Sequence, residues 1–316
     1  MSPTHPIPAR LNRALSAFSV GSCLALLTLA SHAPALWQRA LAVGCFALLA
    51  NTVFSLLHES VHRILHPTPW INETAGVVLA AMFPTSLAFQ RACHLGHHRR
   101  NRTDAELFDQ FRPQDSRFLK SVQFYGIFTG FYWPIVPLGC ALIALLPWLP
   151  RYLAKHGGGA QGQTGTVAML AGVANVAPYR TPLEALFAIL LHGSLIASGL
   201  LTWKAWLLCY LAFGWIWGSL QYADHAFSVR HIREGAWNLR VSAPVRWLFL
   251  NYHLHLNHHR RPDVPWLHLP EQSREADPYP SFWKIYRQMW RGPRPAASPD
   301  TLKADPALDR ILEVQA

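Results

Sequence analysis

Six apolar runs alternate with polar stretches along the chain, at residues 14–30, 41–57, 75–89, 124–149, 183–201 and 205–220. Thr202, Trp203 and Lys204 divide the last two. A membrane-spanning helix needs roughly 17–25 predominantly apolar residues, and at least four of the runs reach that length. The pattern predicts an all-α integral membrane protein with about four transmembrane helices. The first two runs read as a hairpin turning near residues 31–34, with the N-terminus in the cytoplasm and a return to it at His58. The third run is short and has histidines on both sides, so a re-entrant or interfacial helix keeps them on one face of the membrane. Pro134, Pro137 and Pro147 make the fourth a kinked re-entrant element. The last two form a hairpin that returns to the cytoplasm at Tyr222.

The polar segments follow from the same reading. Residues 91–120 and the chain from Ala223 onward form a cytoplasmic helical cap, and the Gly-rich residues 155–166 form a flexible loop. Residues 1–292 are expected to make one membrane domain with its cap, and residues 293–316 a loosely ordered tail.

Composition strengthens the membrane reading. Of the 316 residues, 51% are hydrophobic and 14% charged, against about 25% charged in an average soluble domain. Trp37, Trp70, Trp148 and Trp203 lie near run ends, as an interfacial aromatic belt requires. The net charge of +11 sits in the polar segments, following the positive-inside rule, and no nucleic-acid-binding signature accompanies it. The five cysteines are scattered, four of them in apolar runs, which leaves no disulfide framework or zinc ribbon. The first run has no small-residue cleavage site and reads as a membrane helix rather than a signal peptide.

Histidine placement carries the chemistry. The chain has 17 histidines. His58 and His62 stand at i and i+4, on one face of a helix. His94, His97 and His98 stand at i, i+3 and i+4, and His255, His258 and His259 repeat that spacing in near-copies, HLGHHRR and HLNHHRR. A lone histidine is more often a hydrogen-bonded structural residue than a ligand; three helically spaced clusters beside apolar runs reverse that reading. Imidazole suits iron, zinc, copper and nickel. So many imidazoles point to oxygen-dependent redox chemistry rather than a structural zinc, which closes at four ligands.

This pattern resembles the three histidine boxes of the membrane-bound fatty acid desaturases, a superfamily that includes hydroxylases and carotenoid oxygenases. The resemblance covers about residues 40 to 270. It implies a four-helix stem with a cytoplasmic cap, two iron ions cycling between Fe2+ and Fe3+, and O2 as co-substrate. It also implies a further histidine before the third box, His225, so that the expected metal ligands are His58, His62, His94, His97, His98, His225, His255, His258 and His259. Gln221 stands where many relatives have Asn and is expected to reach a metal-bound water. Carboxylates that could orient the ligands are Glu59, Asp104, Asp224 and Asp263, with Glu106 a further candidate. Glu106 and Asp263 are as readily solvated loop charges. His66, His192, His231, His253 and His268 read as structural or surface residues. Arg99, Arg100, Arg260 and Arg261 follow the histidine pairs and suit either a phosphate or acidic partner or snorkelling to lipid phosphates, the second being favoured.

The expected activity is oxygen-dependent desaturation of a long-chain fatty acyl lipid. A hydroxylase or ketolase of an acyl chain or carotenoid is the alternative on the same scaffold. A non-catalytic membrane metal-binding or transport protein is the alternative from another class, but a transporter places its ligands near the bilayer midplane. No cysteine cluster or dinucleotide fingerprint supplies electrons internally. An external donor is therefore expected, a ferredoxin or a cytochrome b5 with its reductase.

Overall fold

The computed structural model describes residues 5–156, 173, 179–297 and 302–303. Helix α1 (Ala9–His32) and helix α2 (Leu36–Val61) form a hairpin that turns at Pro34, whose ring cannot continue the first helix. Both are long and apolar enough to cross a membrane. Helices α3 (Pro69–Met82) and α4 (Leu87–Arg100) meet at a 92° bend and make a third such element if taken as one span. Among the described residues that gives two membrane-capable helices, or three.

The fourth apolar run is broken into α5 (Arg117–Phe128), α6 (Ile135–Leu145) and α7 (Leu149–His156), with Pro134 and Pro147 at the breaks. Lys155 and His156 end α7; the rest of the expected Gly-rich loop lies outside the described residues. The last two runs form α8 (Arg180–Ala197) and α9 (Trp203–Ala223). The cap adds α10 (Ala243–Leu248), α11 (His255–Arg260) and α12 (Phe282–Met289). One small parallel sheet joins β1 (Gln110–Phe111) to β2 (Arg294–Pro295). The segment expected to be loose from residue 293 thus opens with a paired strand, and most of the remainder lies outside the described residues.

Burial along α2 changes halfway. Leu41 and Leu48 are exposed, whereas residues 50–62 are buried without interruption. The helix passes from an apolar outer surface into the protein core, and its buried end carries the first histidine pair. Exposed leucines and aromatics on α1, α8 and α9, among them Phe18, Leu29, Leu183, Leu190 and Leu208, form the matching outer surface. Trp37, Trp70, Trp148 and Trp203 are all exposed.

Close approach fixes α3 against α2: a Cβ at Gly76 would stand 2.0 Å from Ser60 Oγ. The bend between α3 and α4 is held from outside. His192 Nε2 lies 2.8 Å from the Ala81 carbonyl, and the Tyr210 hydroxyl donates to that of Met82. Ser86 caps α4 by accepting from the Phe89 amide, and Glu184 accepts from the Ala88 amide. Arg91 then ties α4 to the end of α2, donating to the carbonyls of Val61 and Ser60 while gripping Glu73 with both terminal nitrogens. These contacts turn the second histidine cluster toward the first.

Candidate metal centre

His58 sits in the last turn of α2 and His62 caps it. The second cluster is the C-terminal half of α4, and the third is helix α11, reached after the left-handed residues Leu250 and Asn251. Helical spacing puts each cluster on one face, and the three faces converge.

The histidines divide into two groups. In the first, His58, His62, His94 and His258 offer ring nitrogens that all lie within 4.8 Å of one another; in the second, His97, His225, His255 and His259 do the same. The second and third clusters each contribute to both groups. His98 stands against the first, with Nε2 3.0 Å from that of His94 and 2.9 Å from that of His258. Its ring centroid is also 4.4 Å from His259 of the second group. His97 Nε2 lies 3.2 Å from His225 Nε2. Two nitrogens bonded at about 2.1 Å to one ion, at right angles, stand about 3.0 Å apart, so the spacing suits ligands of a common ion.

The chemistry of the donor set agrees with the geometry. His58 Nε2, His255 Nδ1 and both ring nitrogens of His259 are buried with no hydrogen-bond partner. An unpaired buried polar atom is costly, and a bound cation removes that cost. Burial, and then neighbouring imidazoles, push His225, His255, His258 and His259 well below the ordinary histidine range. They are held neutral, which is the form that binds a metal.

Two ligand candidates have an acceptor on the far nitrogen. His97 Nδ1 lies 2.7 Å from Glu106 Oε2, and His225 Nδ1 lies 3.0 Å from the Gly235 carbonyl. The other carboxylates go elsewhere. Glu59 is buried and accepts from the Trp266 amide. Asp104 pairs with Arg112 and Arg230, and Asp263 pairs with Arg261. Among the described residues, no hydrogen bond joins Glu59 or Asp104 to an imidazole. Asp224 is fully buried with neither carboxylate oxygen hydrogen-bonded, and burial raises its pKa well above the ordinary carboxylate range. The Gln221 side chain lies beside the Tyr252 hydroxyl.

Two of the basic residues after the histidine pairs, Arg100 and Arg260, are also taken up internally. Arg100 Nε donates to Glu106, and Arg260 engages both Glu234 and Asp277. Snorkelling to lipid does not describe Arg260, whose guanidinium is neutralised within the cap. His192 is satisfied on both nitrogens, by Ala81 and by Trp206 Nε1. His66 accepts from the Thr68 amide, His231 from those of Arg233 and Glu234. His268 faces Glu271, and His253 is buried outside both groups.

Sequence reasoning passes over Tyr252. Its ring stands 5.1 Å from His58 of the first group and 4.8 Å from His255 of the second. No spacing rule marks it, because it reaches the site from a turn. Asn257, between the third-cluster histidines, is the other: its amide donates to the Leu269 carbonyl and to Ser273, and its oxygen accepts from Asn238. A small cavity between Ser55, Leu250, Trp266 and Leu269 opens onto His58, His255 and His258.

An all-helical apolar chain that gathers three histidine boxes into two metal-capable groups is a histidine-box membrane protein by class. A family model described as fatty acid desaturase matches residues 31–290, and the chain belongs to that family. The apolar helices and this membership together point to an integral membrane oxidoreductase. No curated protein matches the chain.

Proposed function

We propose that the protein desaturates a long-chain fatty acyl lipid at a pair of iron ions. The observation that carries this reading is that seven of the eight box histidines, with His225, fall into two adjacent groups of four in a chain of the fatty acid desaturase family. The first ion is assigned to His58, His62, His94 and His258, with His98 completing that group; the second is assigned to His97, His225, His255 and His259. Iron bound there activates O2 for attack on an unactivated carbon–hydrogen bond. Two hydrogens leave neighbouring CH2 carbons, a double bond forms, and with two electrons and two protons from outside O2 is reduced to two waters.

The chain's own residues supply position and dryness. The acyl chain is assigned to the apolar side of the site, where Phe54 packs edge-on against Trp217 and Tyr252 and at a tilt against Phe83. Tyr252 stands against both groups and holds that side closed to water. Helices α8 and α9, with their exposed leucines, complete a four-helix stem, and the site faces the cytoplasm. Electrons come from a separate ferredoxin or cytochrome b5 system, which the basic cap suits through electrostatic steering.

The deciding experiment is expression in a host that supplies such a donor, followed by lipid profiling beside a His98→Ala control. Loss of two hydrogens from an acyl chain is the expected product. Gain of oxygen identifies a hydroxylase instead. A profile identical to the control, with protein that retains zinc and no iron, defeats the oxidative reading.

A further inference from the structure

We propose that Asp109 is the positioning residue of the second histidine group, locking the loop that presents His225 to the helix that presents His97. Asp109 is fully buried and faces three segments at once. Its Oδ1 lies 2.6 Å from an Arg102 terminal nitrogen, its Oδ2 accepts from the Phe227 amide, and its carbonyl accepts from the Arg294 amide at 2.9 Å. Arg102, 2% exposed, follows the end of α4 and donates its other terminal nitrogen to the Ser228 carbonyl. Ser228 in turn donates through its hydroxyl to the carbonyl of His225.

Two backbone conformations show what the carboxylate holds. Arg102 and Phe227 have φ of 59° and 60°, a region that residues with a side chain rarely adopt. Such strain persists only where the surroundings over-determine it, and both residues meet at Asp109. The far end of the loop is held by the residue before Arg102: the Asn101 amide donates to the carbonyls of Ile232 and Gly235. The Gly235 carbonyl is the acceptor of His225 Nδ1. Residues 101 and 102 therefore grip both ends of the His225 loop, and Asp109 orients the charged one. The C-terminal strand closes the arrangement, with the Arg294 guanidinium 4.0 Å over the Phe227 ring. None of these contacts involves His58, His62, His94 or His258, and the helices of His58 and His94 are joined separately through Arg91.

The proposal rests on the two-ion reading above and predicts a selective loss. The test is iron content and iron release to a chelator, measured on the full chain in lipid nanodiscs. Wild-type protein is expected to hold two ions. Asp109→Asn still accepts from Phe227 but turns an amide toward Arg102. It is expected to release one ion about 10–100-fold faster and the other at the wild-type rate. Equal release of both ions, at any rate, overturns the proposal. The double variant Arg102→Met with Asp109→Leu removes both charges together, which often leaves stability intact. The Phe227 amide loses its acceptor, so the variant is expected to unfold somewhat below the wild-type temperature while still folding, and to lose the second ion. If it keeps that ion as firmly as wild type, the pair is merely structural and the proposal falls. A wild-type protein that binds fewer than two ions instead defeats the two-ion reading, so the two failures are told apart.

Discussion

Glu106 Oε2 stands 2.7 Å from Nδ1 of His97, while the other oxygen of the same carboxylate accepts from Arg100. A carboxylate behind an imidazole fixes which ring nitrogen faces the ion and raises the basicity of that nitrogen. Arg100 fixes the carboxylate in turn, and His97, Arg100 and Glu106 form one unit at the end of α4. Glu106→Gln keeps the shape and removes the charge. Affinity for the second ion is expected to fall about 10–100-fold, read by metal titration, with the first ion unaffected. Wild-type affinity in this variant would show that the carboxylate only fills space.

How much of this was legible beforehand depends on whether a group's partner is near in sequence. His58 and His62, or His94 and His98, announce themselves through helical spacing, and their clusters do meet in space. The partners of the carboxylates did not. Asp104 and Glu106 lie two residues apart in one turn, yet one faces Arg112 and Arg230 and the other faces His97. Only the direction in which that turn leaves α4 decides between them. Asp109 and Tyr252 carry no motif, because each acts by touching segments distant in the chain. The stem was read from apolar length alone. Length located the hairpin of α1 and α2 but could not tell that the end of α2 is buried in protein.

Tyr252 touches one imidazole from each group, and the Gln221 side chain lies beside its hydroxyl. Tyr252→Phe removes the hydroxyl and keeps the ring. It is expected to cost about 1 kcal/mol of stability with iron content unchanged, measured by thermal unfolding and metal analysis. Tyr252→Ala removes the ring between the groups and is expected to admit water and uncouple oxygen consumption from product formation. Tight coupling in the alanine variant would show that the ring does not shield the site.

Hydrogen bonds from Arg260 hold the Glu234 carboxyl below its ordinary pKa, against a smaller opposing effect of burial. The unfolded chain therefore binds more protons than the folded chain between the two values, and stability rises with pH across that window. The contribution is complete above the ordinary value of about 4.3 and disappears as pH falls through the lower folded value. Glu234→Gln is expected to unfold at a lower temperature than wild type at pH 7, with the two curves converging in acid. Added salt should narrow the difference at neutral pH, since the pair is partly exposed. A gap that persists unchanged into acid would assign the effect to packing.

Gly130 has φ of 81°, and a Cβ there would lie 2.3 Å from the Gly214 carbonyl carbon. The turn after α5 can cross α9 at this distance only because neither residue has a side chain. Gly130→Ala must move the backbone as well as strain φ. A cost of about 1–3 kcal/mol is expected from overpacking alone, seen as a lower unfolding temperature and poorer yield. A wild-type unfolding temperature would mean that the crossing has room to spare.

The third cluster offers the sharpest test of the two-group arrangement, because neighbouring histidines on one short helix belong to different groups. His258 joins the first and His255 the second, although both lie on α11. Each is buried, and either alanine variant leaves the other ligands of its group in place, so the chain should still insert and fold. His258→Ala is expected to lose the first ion and His255→Ala the second, and both are expected to abolish turnover because the proposed reaction needs both ions. Mössbauer spectra of the two variants should then retain different single-iron signals, each matching one component of the wild-type spectrum. Two variants with the same residual spectrum would mean that the groups share their ions, and the partition of ligands given above would be wrong.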